Sequence, residues 1–298
     1  MARDLTERIE NSLIRNKPIN GLAQAVQQVM NRLFLKSPLR PIKVFMNGTW
    51  LEHPLHPLLT DIPVGAWTLA ILLDLIALIF GVSSLGLASA IAVGLGILGA
   101  LGAAATGLFD WMDIDRPELA VGITHAVINI AATVLFIVSF AIRWAGDWTI
   151  SLAAFIPAVI GYIVVSAGAY IGGSLVYRQG VMVNRDAHQQ GPNEYVAVLA
   201  TQDLPENRPV RVDAQGQPVL LVRRGEEVYA IGAVCSHYGG PLEEGQLKDG
   251  TIECPWHYSR FRIADGGVDA GPATAPVPAY EARVVDGHIE VRAKETTA

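Results

Sequence analysis

"ECPWHYSRF" (residues 253–261) places Cys254 three positions before His257. The only other cysteine of this 298-residue chain lies in "VCSHYGGPL" (234–242), where Cys235 comes two positions before His237. Each of the two thiols is therefore paired in sequence with an imidazole. Two thiolates and two imidazoles form a complete ligand set for a metal centre.

Three kinds of structure use such residues, and the spacing separates them. A disulfide between the two cysteines would leave both histidines unexplained. Structural zinc also takes two cysteines and two histidines, but zinc fingers usually space both cysteines together and both histidines together. The mixed order here favours a two-iron cluster, in which one iron takes both thiolates and the other takes both imidazoles.

The longer stretch "CSHYGGPLEEGQLKDGTIECPWHYSRF" (235–261) resembles the cluster-binding segment of Rieske [2Fe-2S] proteins, and the resemblance extends over residues 194–293. It implies an all-β domain of the Rieske iron–sulfur protein type. It also implies a set of four cluster ligands, which are Cys235, His237, Cys254 and His257. "GPATAPVP" (271–278), which contains Pro272, resembles the loop that covers the cluster in this family.

The surroundings of the cluster depart from the high-potential members of that family. Gly240 and Trp256 stand where the Rieske proteins of cytochrome bc complexes have two further cysteines, so the chain resembles the soluble ferredoxin type. Ser259 stands at the position of a hydroxyl donor to a bridging sulfide, and Phe261 replaces a tyrosine donor. Because hydrogen bonds to sulfur tune the potential, one donor kept and one lost imply an intermediate-to-low reduction potential.

The rest of the chain is strongly apolar, and 51% of all residues are hydrophobic. Four long apolar runs cover roughly residues 58–80, 85–109, 121–142 and 149–170. Each is long enough to cross about 30 Å of hydrocarbon as a helix. The sequence therefore predicts a membrane-embedded α-helical four-helix bundle followed by an all-β domain.

Four segments follow from these patterns. Residues 1–50 are predicted as an amphipathic helical segment, 51–177 as the four-span domain, 178–193 as a linker and 194–298 as the Rieske domain. Residues 186–298 carry 17 acidic and 10 basic residues, which favours a redox partner with a basic docking face. No basic surface for nucleic acid is indicated.

Charge also predicts the orientation in the membrane. The side on which the first span begins carries ten lysines and arginines, whereas the opposite loops carry only Arg143. The positive-inside rule makes that first side cytoplasmic. An even number of spans then puts both termini and the Rieske domain on the cytoplasmic side of the inner membrane. No secretory signal is seen before the first span, and the lack of a structural disulfide fits a reducing compartment.

A second group of ionisable residues surrounds "LEHPLHPLLTDIPVGAW" (51–67), "FDWMDID" (109–115) and "GITHAVIN" (122–129). Ionisable side chains at membrane depth are functional candidates. If residues 53–56 are helical, the two histidines there share a face. The residues that the predicted topology gathers at the cytoplasmic boundary are His53, His56, Asp61, Asp110, Asp113, Asp115 and His125.

The His-Pro-x-His-Pro entry and the following Asp-x-Pro-x-Gly resemble an uncharacterised bacterial family of four-span membrane proteins, over residues 45–177. That resemblance implies a fold but little mechanism. Three interpretations of the histidines stay open. They pair with aspartates at the interface, or His56 and His125 ligate a haem b or a metal, or a His/Asp pair handles protons in a quinone pocket.

The sequence thus predicts a membrane-anchored one-electron transfer protein. It would exchange electrons with a soluble partner such as a reductase through an exposed edge formed by His237 and His257. A redox-sensing regulator is an alternative, and so is the electron-donor subunit of an oxygenase completed in trans. We expect a carrier or an oxidoreductase subunit rather than a complete enzyme, because the two-histidine, one-carboxylate iron site of such oxygenases requires a further domain.

Overall fold

A computed structural model describes residues 2–35, 37–114 and 118–294. The chain divides into two compact units. The first consists of Met1–Ile42 and Leu55–Val181, and the second consists of Lys43–Pro54 and Met182–Ala298. The short segment before the first long helix therefore belongs to the C-terminal unit.

The first unit is helical. Its helices are α1 (Ala2–Arg15), α2 (Lys17–Phe34), α3 (Arg40–Met46, which continues into the second unit), α4 (Leu55–Phe80), α5 (Gly86–Trp111), α6 (Leu119–Ala145) and α7 (Leu152–Tyr177). Within the described residues, the four helices α4 to α7 are long and apolar enough to cross a membrane. The predicted class of the N-terminal part is confirmed.

The helix ends differ from the expected spans for local reasons. The last of the four long helices, α7, begins at Leu152 rather than near residue 149, because Ser151 caps it. The hydroxyl of Ser151 accepts from the backbone N–H of Ala154 at 3.3 Å. Asn16 caps α2 in the same way, accepting from Ile19 at 3.2 Å. Caps of this kind satisfy backbone donors that a hydropathy pattern does not report.

The apolar stripe of α2 is only partly covered by the chain. Ala23 and Met30 are buried, whereas Leu22, Val29 and Leu33 are exposed. Exposed apolar side chains on one helix face are typical of a segment that lies at a membrane surface.

The four long helices pack as two hairpins, α4 with α5 and α6 with α7. Between the hairpins, the rings of Trp67 and Phe136 stack with centroids 3.9 Å apart. Arg143, which was expected in a loop, lies inside α6. There it is buried and forms an ion pair with the buried Asp74 of α4.

The second unit is built from antiparallel strands. They are β1 (Val196–Ala200), β2 (Val210–Ala214), β3 (Gln217–Arg224), β4 (Glu227–Gly232), β5 (Gln246–Lys248), β6 (Thr251–Glu253), β7 (Arg260–Arg262), β8 (Val268–Ala270), β9 (Ala279–Val285) and β10 (His288–Ala293). One sheet has the order β1-β10-β9-β4-β3-β2 and the other the order β5-β6-β7-β8. The predicted all-β class of the C-terminal part is confirmed.

The smaller sheet and the loop after β4 enclose their own core. Leu220 and Ile231 from the larger sheet pack with Ile252 and Phe261 from the smaller one. Both cysteines lie at the edge of this core, so their loops extend from a rigid base.

Candidate metal centre

Two loops carry the cysteine–histidine pairs, and their backbones fold in the same way. Cys235 and His237 lie between β4 and β5, whereas Cys254 and His257 lie between β6 and β7. In each loop the cysteine N–H donates to the carbonyl five residues on, at 2.9 Å in the first loop and 2.8 Å in the second. In each, the cysteine carbonyl accepts from the N–H four residues on, at 2.8 and 3.1 Å.

The fifth residue of each loop, counted from the cysteine, has a left-handed backbone. Gly239 has φ +78° and Tyr258 has φ +65°. A glycine adopts this conformation without a steric penalty, but a tyrosine does not. The second loop therefore keeps the same turn against the intrinsic preference of Tyr258, which is typical of a functionally constrained site.

The loops bring like side chains together. The two thiols are buried and lie within hydrogen-bonding distance of each other, and they form no disulfide. The rings of His237 and His257 face each other with centroids 5.2 Å apart and planes at 87°. His237 is only 5% exposed, and neither of its ring nitrogens has a hydrogen-bond partner among the described residues.

Protonation in this site suits metal binding. The hydrogen bond between the sulfurs, together with burial, raises the pKa of Cys235 well above its ordinary value, whereas the same hydrogen bond lowers the pKa of Cys254 to about 7. Cys254 is thus partly ionised to the thiolate near neutrality. Burial, with the nearby His257, Lys43 and Arg185, lowers the pKa of His237 well below its usual range. A neutral imidazole keeps the lone pair that a metal requires.

These residues fit a two-iron cluster. A thiol pair and an imidazole pair, side by side, offer each of two irons two like ligands, as a Rieske cluster requires. A single zinc ion would need all four side chains around one point. In the described ranges, no group of three or more His, Cys, Asp or Glu side chains is arranged around one metal ion.

The other residues predicted around the cluster have distinct positions. Ser259 is buried, and its hydroxyl oxygen accepts from the N–H of Ala273 at 2.9 Å, which leaves the hydroxyl hydrogen to donate elsewhere. Phe261 is fully buried in the core, whereas Trp256 is 48% exposed. Pro272 follows a cis peptide bond in the loop between β8 and β9.

Gly240 is constrained by the second loop. A Cβ atom at this position would lie 2.7 Å from Sγ of Cys254 and 3.2 Å from the ring of Trp256. No side chain fits there without displacing the sulfur. A glycine at this position therefore lets the backbone of the first loop pack closely against the sulfur.

The expectation that both histidines are exposed is wrong for His237. It is buried and lines a cavity together with Pro54, Met182, Asn184, Ser236, Pro272, Thr274 and Ala275. Hydrogen bonds join the segments around this cavity. The backbone N–H of Arg185 donates to the carbonyl of Ser236 at 3.0 Å, and the hydroxyl of Thr49 donates to the carbonyl of Ala273 at 3.5 Å. Only His257 of the pair is partly exposed.

The histidines near the first span separate into the two units. His53 precedes α4, is exposed, and places Nδ1 2.9 Å from the carbonyl of Pro54. His56 is in the first turn of α4. They do not share a helix face, because α4 begins only after Pro54, and the residue before a proline disfavours helical backbone.

The structure brings His56 together with His125 in the first unit. Their ring centroids are 6.1 Å apart. Nδ1 of His56 lies 2.8 Å from the carbonyl of Ala103, and Nδ1 of His125 lies 2.9 Å from the carbonyl of Gly168. Nδ1 of His125 also lies 3.2 Å from the amide nitrogen of Asn129. Within the described part of the chain, both histidines thus contact carbonyl or amide groups through Nδ1 rather than carboxylates.

The predicted aspartates differ in burial. Asp61 is exposed on α4, Asp110 is buried near the end of α5, and Asp113 is buried just beyond it. Asp115 lies outside the described residues.

Two families match this chain. Residues 194–281 match the family described as the Rieske [2Fe-2S] domain. Residues 52–185 match the family described as Predicted membrane protein (DUF2231).

Individual proteins match the C-terminal part. The anthranilate 1,2-dioxygenase ferredoxin subunit of Burkholderia cepacia is 37% identical over 98 residues, which are 33% of this chain and 91% of that protein. Apoptosis-inducing factor 3 of Homo sapiens is 32% identical over 99 residues, which are 33% of this chain and 16% of that protein. The solved ferredoxin of carbazole 1,9a-dioxygenase from Nocardioides aromaticivorans IC177 is 36% identical, with 34% of this chain and 98% of that chain covered and a TM-score of 0.33.

Proposed function

This chain belongs to the Rieske [2Fe-2S] family, and from that premise we propose that it is a membrane-anchored one-electron carrier. In this proposal, Cys235 and Cys254 hold one iron, and His237 and His257 hold the other. A cluster so bound accepts and releases one electron at a time. The observation that carries the proposal is the pairing of thiol with thiol and imidazole with imidazole, across two loops of the same backbone form.

The soluble partner docks at the edge formed by His257 and Trp256. His257 is the partly exposed imidazole of the pair, and the indole beside it is half exposed. Exposed aromatic side chains are frequent at protein interfaces. The acidic excess of residues 186–298 favours a reductase, or another partner, with a basic face. The similarity to a dioxygenase ferredoxin subunit supports a role as electron donor to an oxygenase supplied in trans.

The helices α4 to α7 anchor this carrier in the inner membrane, with the Rieske domain on the cytoplasmic side. Their length and apolar composition support the anchoring, and so does the match to a predicted membrane protein family. The excess of basic residues on one side of the predicted spans supports the orientation. A redox group in the four-helix unit, whether haem or quinone, would let the carrier exchange electrons with the membrane.

The test is an electron count on the intact chain in detergent. The protein is titrated with dithionite and followed by the cluster absorption. We expect about one electron per chain for the native protein, and loss of this uptake in Cys254→Ser and His257→Ser. His288→Ser is the matched control, because His288 is exposed at the first position of β10.

The control should take up the same number of electrons as the native chain. Unchanged uptake in Cys254→Ser would contradict the ligand assignment. Stoichiometric zinc without electron uptake in the native chain would contradict the proposed function itself.

A further inference from the structure

The two helical hairpins of the first unit are copies of one arrangement. On α4 and α6, residues 69 positions apart are equivalent, and on α5 and α7 the offset is 65 positions. The equivalent pairs on the first helices are His56/His125, Trp67/Phe136 and Asp74/Arg143. Those on the second helices are Gly96/Gly161, Ala103/Gly168 and Gly107/Gly172.

The contacts repeat along with the residues. Trp67 packs against Gly96, and its equivalent Phe136 packs against Gly161. A serine also joins the two helices of each hairpin at equivalent positions, although the donor helix is exchanged. Ser139 on α6 donates to the carbonyl of Ala154 on α7, whereas Ser89 on α5 donates to the carbonyl of Ala70 on α4. A repeated set of contacts between successive hairpins of the same direction implies a pseudo-two-fold axis along the bundle.

The histidines repeat the same relation. Each imidazole bonds through Nδ1 to a carbonyl of its own hairpin, that of Ala103 or that of Gly168. Each also packs against a glycine four residues further on. A Cβ at Gly107 would lie 2.7 Å from Nδ1 of His56, and one at Gly172 would lie 2.7 Å from Cε1 of His125.

Equivalent residues meet at the axis in three layers, which are separated by 11 and 7 residues, or about 16 and 10 Å of helix. In the middle layer, Trp67 stacks on Phe136. In the layer nearest the ends of α4 and α6, Arg143 binds both carboxylate oxygens of Asp74. In each of these two layers, the two equivalent side chains are each other's partners, by ring stacking in one and by an ion pair in the other.

The histidine layer is different, because each imidazole directs one nitrogen away from its hairpin bond. A carbonyl only accepts, so Nδ1 carries the hydrogen, and in the neutral ring Nε2 keeps its lone pair. The amide nitrogen of Asn129 lies 3.2 Å from Nδ1 and 3.5 Å from Nε2 of His125, but its shortest bond is the one that it donates to the carbonyl of His125 at 2.7 Å. An imidazole fixed through Nδ1–H to a backbone carbonyl is the usual state of a metal-ligating histidine.

We propose that His56 and His125 are the two axial ligands of a b-type haem in the four-helix unit. Two metal–nitrogen bonds of about 2 Å, with the radius of each ring added, give about 6 Å between ring centres. The observed separation of 6.1 Å matches this value. The macrocycle supplies the remaining four ligands of the iron. Its two faces are equivalent, as are the two histidines that the pseudo-two-fold axis of the hairpins relates. Helix bundles hold cofactors in this way, between side chains of facing helices.

This inference rests on the proposed function, which leaves the redox group of the four-helix unit open between haem and quinone, and it deepens that function. It gives the four-helix unit a redox group of its own, one that exchanges single electrons as the cluster does.

The experiment uses the full chain, produced with iron and a haem precursor and purified in detergent. Haem b is measured as the pyridine haemochrome and by the reduced-minus-oxidised spectrum. We expect a low-spin haem in the native protein and at least a tenfold loss of low-spin haem in both His56→Ala and His125→Ala. His53→Ala is the matched control and should keep the native content, because His53 is exposed and lies outside α4.

The cluster signal of the same samples shows whether each variant is folded. A His125→Met variant adds a second readout, since methionine as an axial ligand raises the haem potential. The proposal is overturned if the native chain, carrying its cluster, binds no low-spin haem even after incubation with hemin. It is also overturned if His56→Ala and His125→Ala both retain low-spin haem, or if His125→Met leaves the haem potential unchanged.

Discussion

Two cationic side chains, Lys43 and Arg185, act electrostatically on His237. Lys43 is only 2% exposed, so its charge is poorly screened by solvent. A nearby positive charge stabilises the reduced, more negative state of an adjacent redox centre. We expect Lys43→Met to lower the reduction potential of the cluster by tens of millivolts, roughly, in a redox titration.

The matched control removes the same charge from the surface. Lys248 is exposed on β5, so Lys248→Met should shift the potential far less. Equal shifts in the two variants would mean that the overall charge, and not the position of Lys43, sets the potential.

Asp186 should make the stability of the second unit depend on pH. Burial raises the pKa of this carboxyl to about 7, although the Gln189 amide donates to it at 2.6 Å. Because the pKa is higher folded than unfolded, the stabilisation is complete below the unfolded value of 3.8 and is lost as the pH rises through 7. We expect the free energy of unfolding to fall by about 1 kcal/mol between about pH 6 and pH 8.

Thermal or denaturant unfolding of the intact chain, followed by the cluster absorption, measures this dependence. In Asp186→Asn the side chain stays neutral at both pH values, so the decrease should be largely absent. A decrease of the same size in the variant would assign the pH dependence to another group.

The residues of the candidate site differ in how far the sequence alone predicts them. The two cysteines and two histidines are recognisable from spacing, because each pair lies within one loop. The burial of His237 is not, because it depends on residues 43–54 and 182–186, which are remote in sequence from the loop. Local spacing reports the ligands of a site, whereas tertiary contacts decide which of them is accessible.

At the level of helices, the buried pair of Asp74 and Arg143 joins the two hairpins. Both side chains are fully buried, and the hydroxyls of Ser89 and Ser139 complete their hydrogen bonds. Removal of one partner leaves an uncompensated buried charge, which costs about 3–5 kcal/mol. We expect Asp74→Leu or Arg143→Leu to lower the unfolding temperature in detergent strongly.

The double variant provides the control for this prediction. When leucine replaces both charged residues, no unpaired charge is left buried. The double variant should therefore be more stable than either single variant. Additive losses in the double variant would show that the two residues are not coupled.

The elements themselves were largely predictable, and their pairing was not. Hydropathy reports each span, because every face of a helix in lipid is apolar or packed. It does not report that Asp74 and Arg143 meet, since they are 69 residues apart. The same offset relates His56 to His125 and Trp67 to Phe136, so a search for an internal repeat would have revealed the arrangement.

For the whole molecule, the proposed orientation puts both chain ends in the cytoplasm. A fluorescent protein fused after residue 298 should therefore fluoresce, and alkaline phosphatase at the same position should be inactive. Fusions made after residue 147, in the loop between α6 and α7, should give the reverse result. The reverse pattern at residue 298 would place the Rieske domain on the other side of the membrane.

The division of the chain into a helical and a β part follows from composition, because apolar residues concentrate in the first part and acidic residues in the second. The inclusion of residues 43–54 in the second unit does not follow from composition. It depends on contacts such as that between Thr49 and Ala273, which no local pattern encodes.

In the proposed centre, two thiolates bind one iron of the cluster and two imidazoles bind the other. The most direct measurement is the pulsed electron paramagnetic resonance spectrum of the dithionite-reduced intact chain. This ligation predicts a reduced-cluster signal with hyperfine couplings from two imidazole nitrogens, and loss of one coupling when His257 is replaced by cysteine. A reduced cluster without imidazole couplings, or an iron-free protein that binds zinc instead, would contradict it.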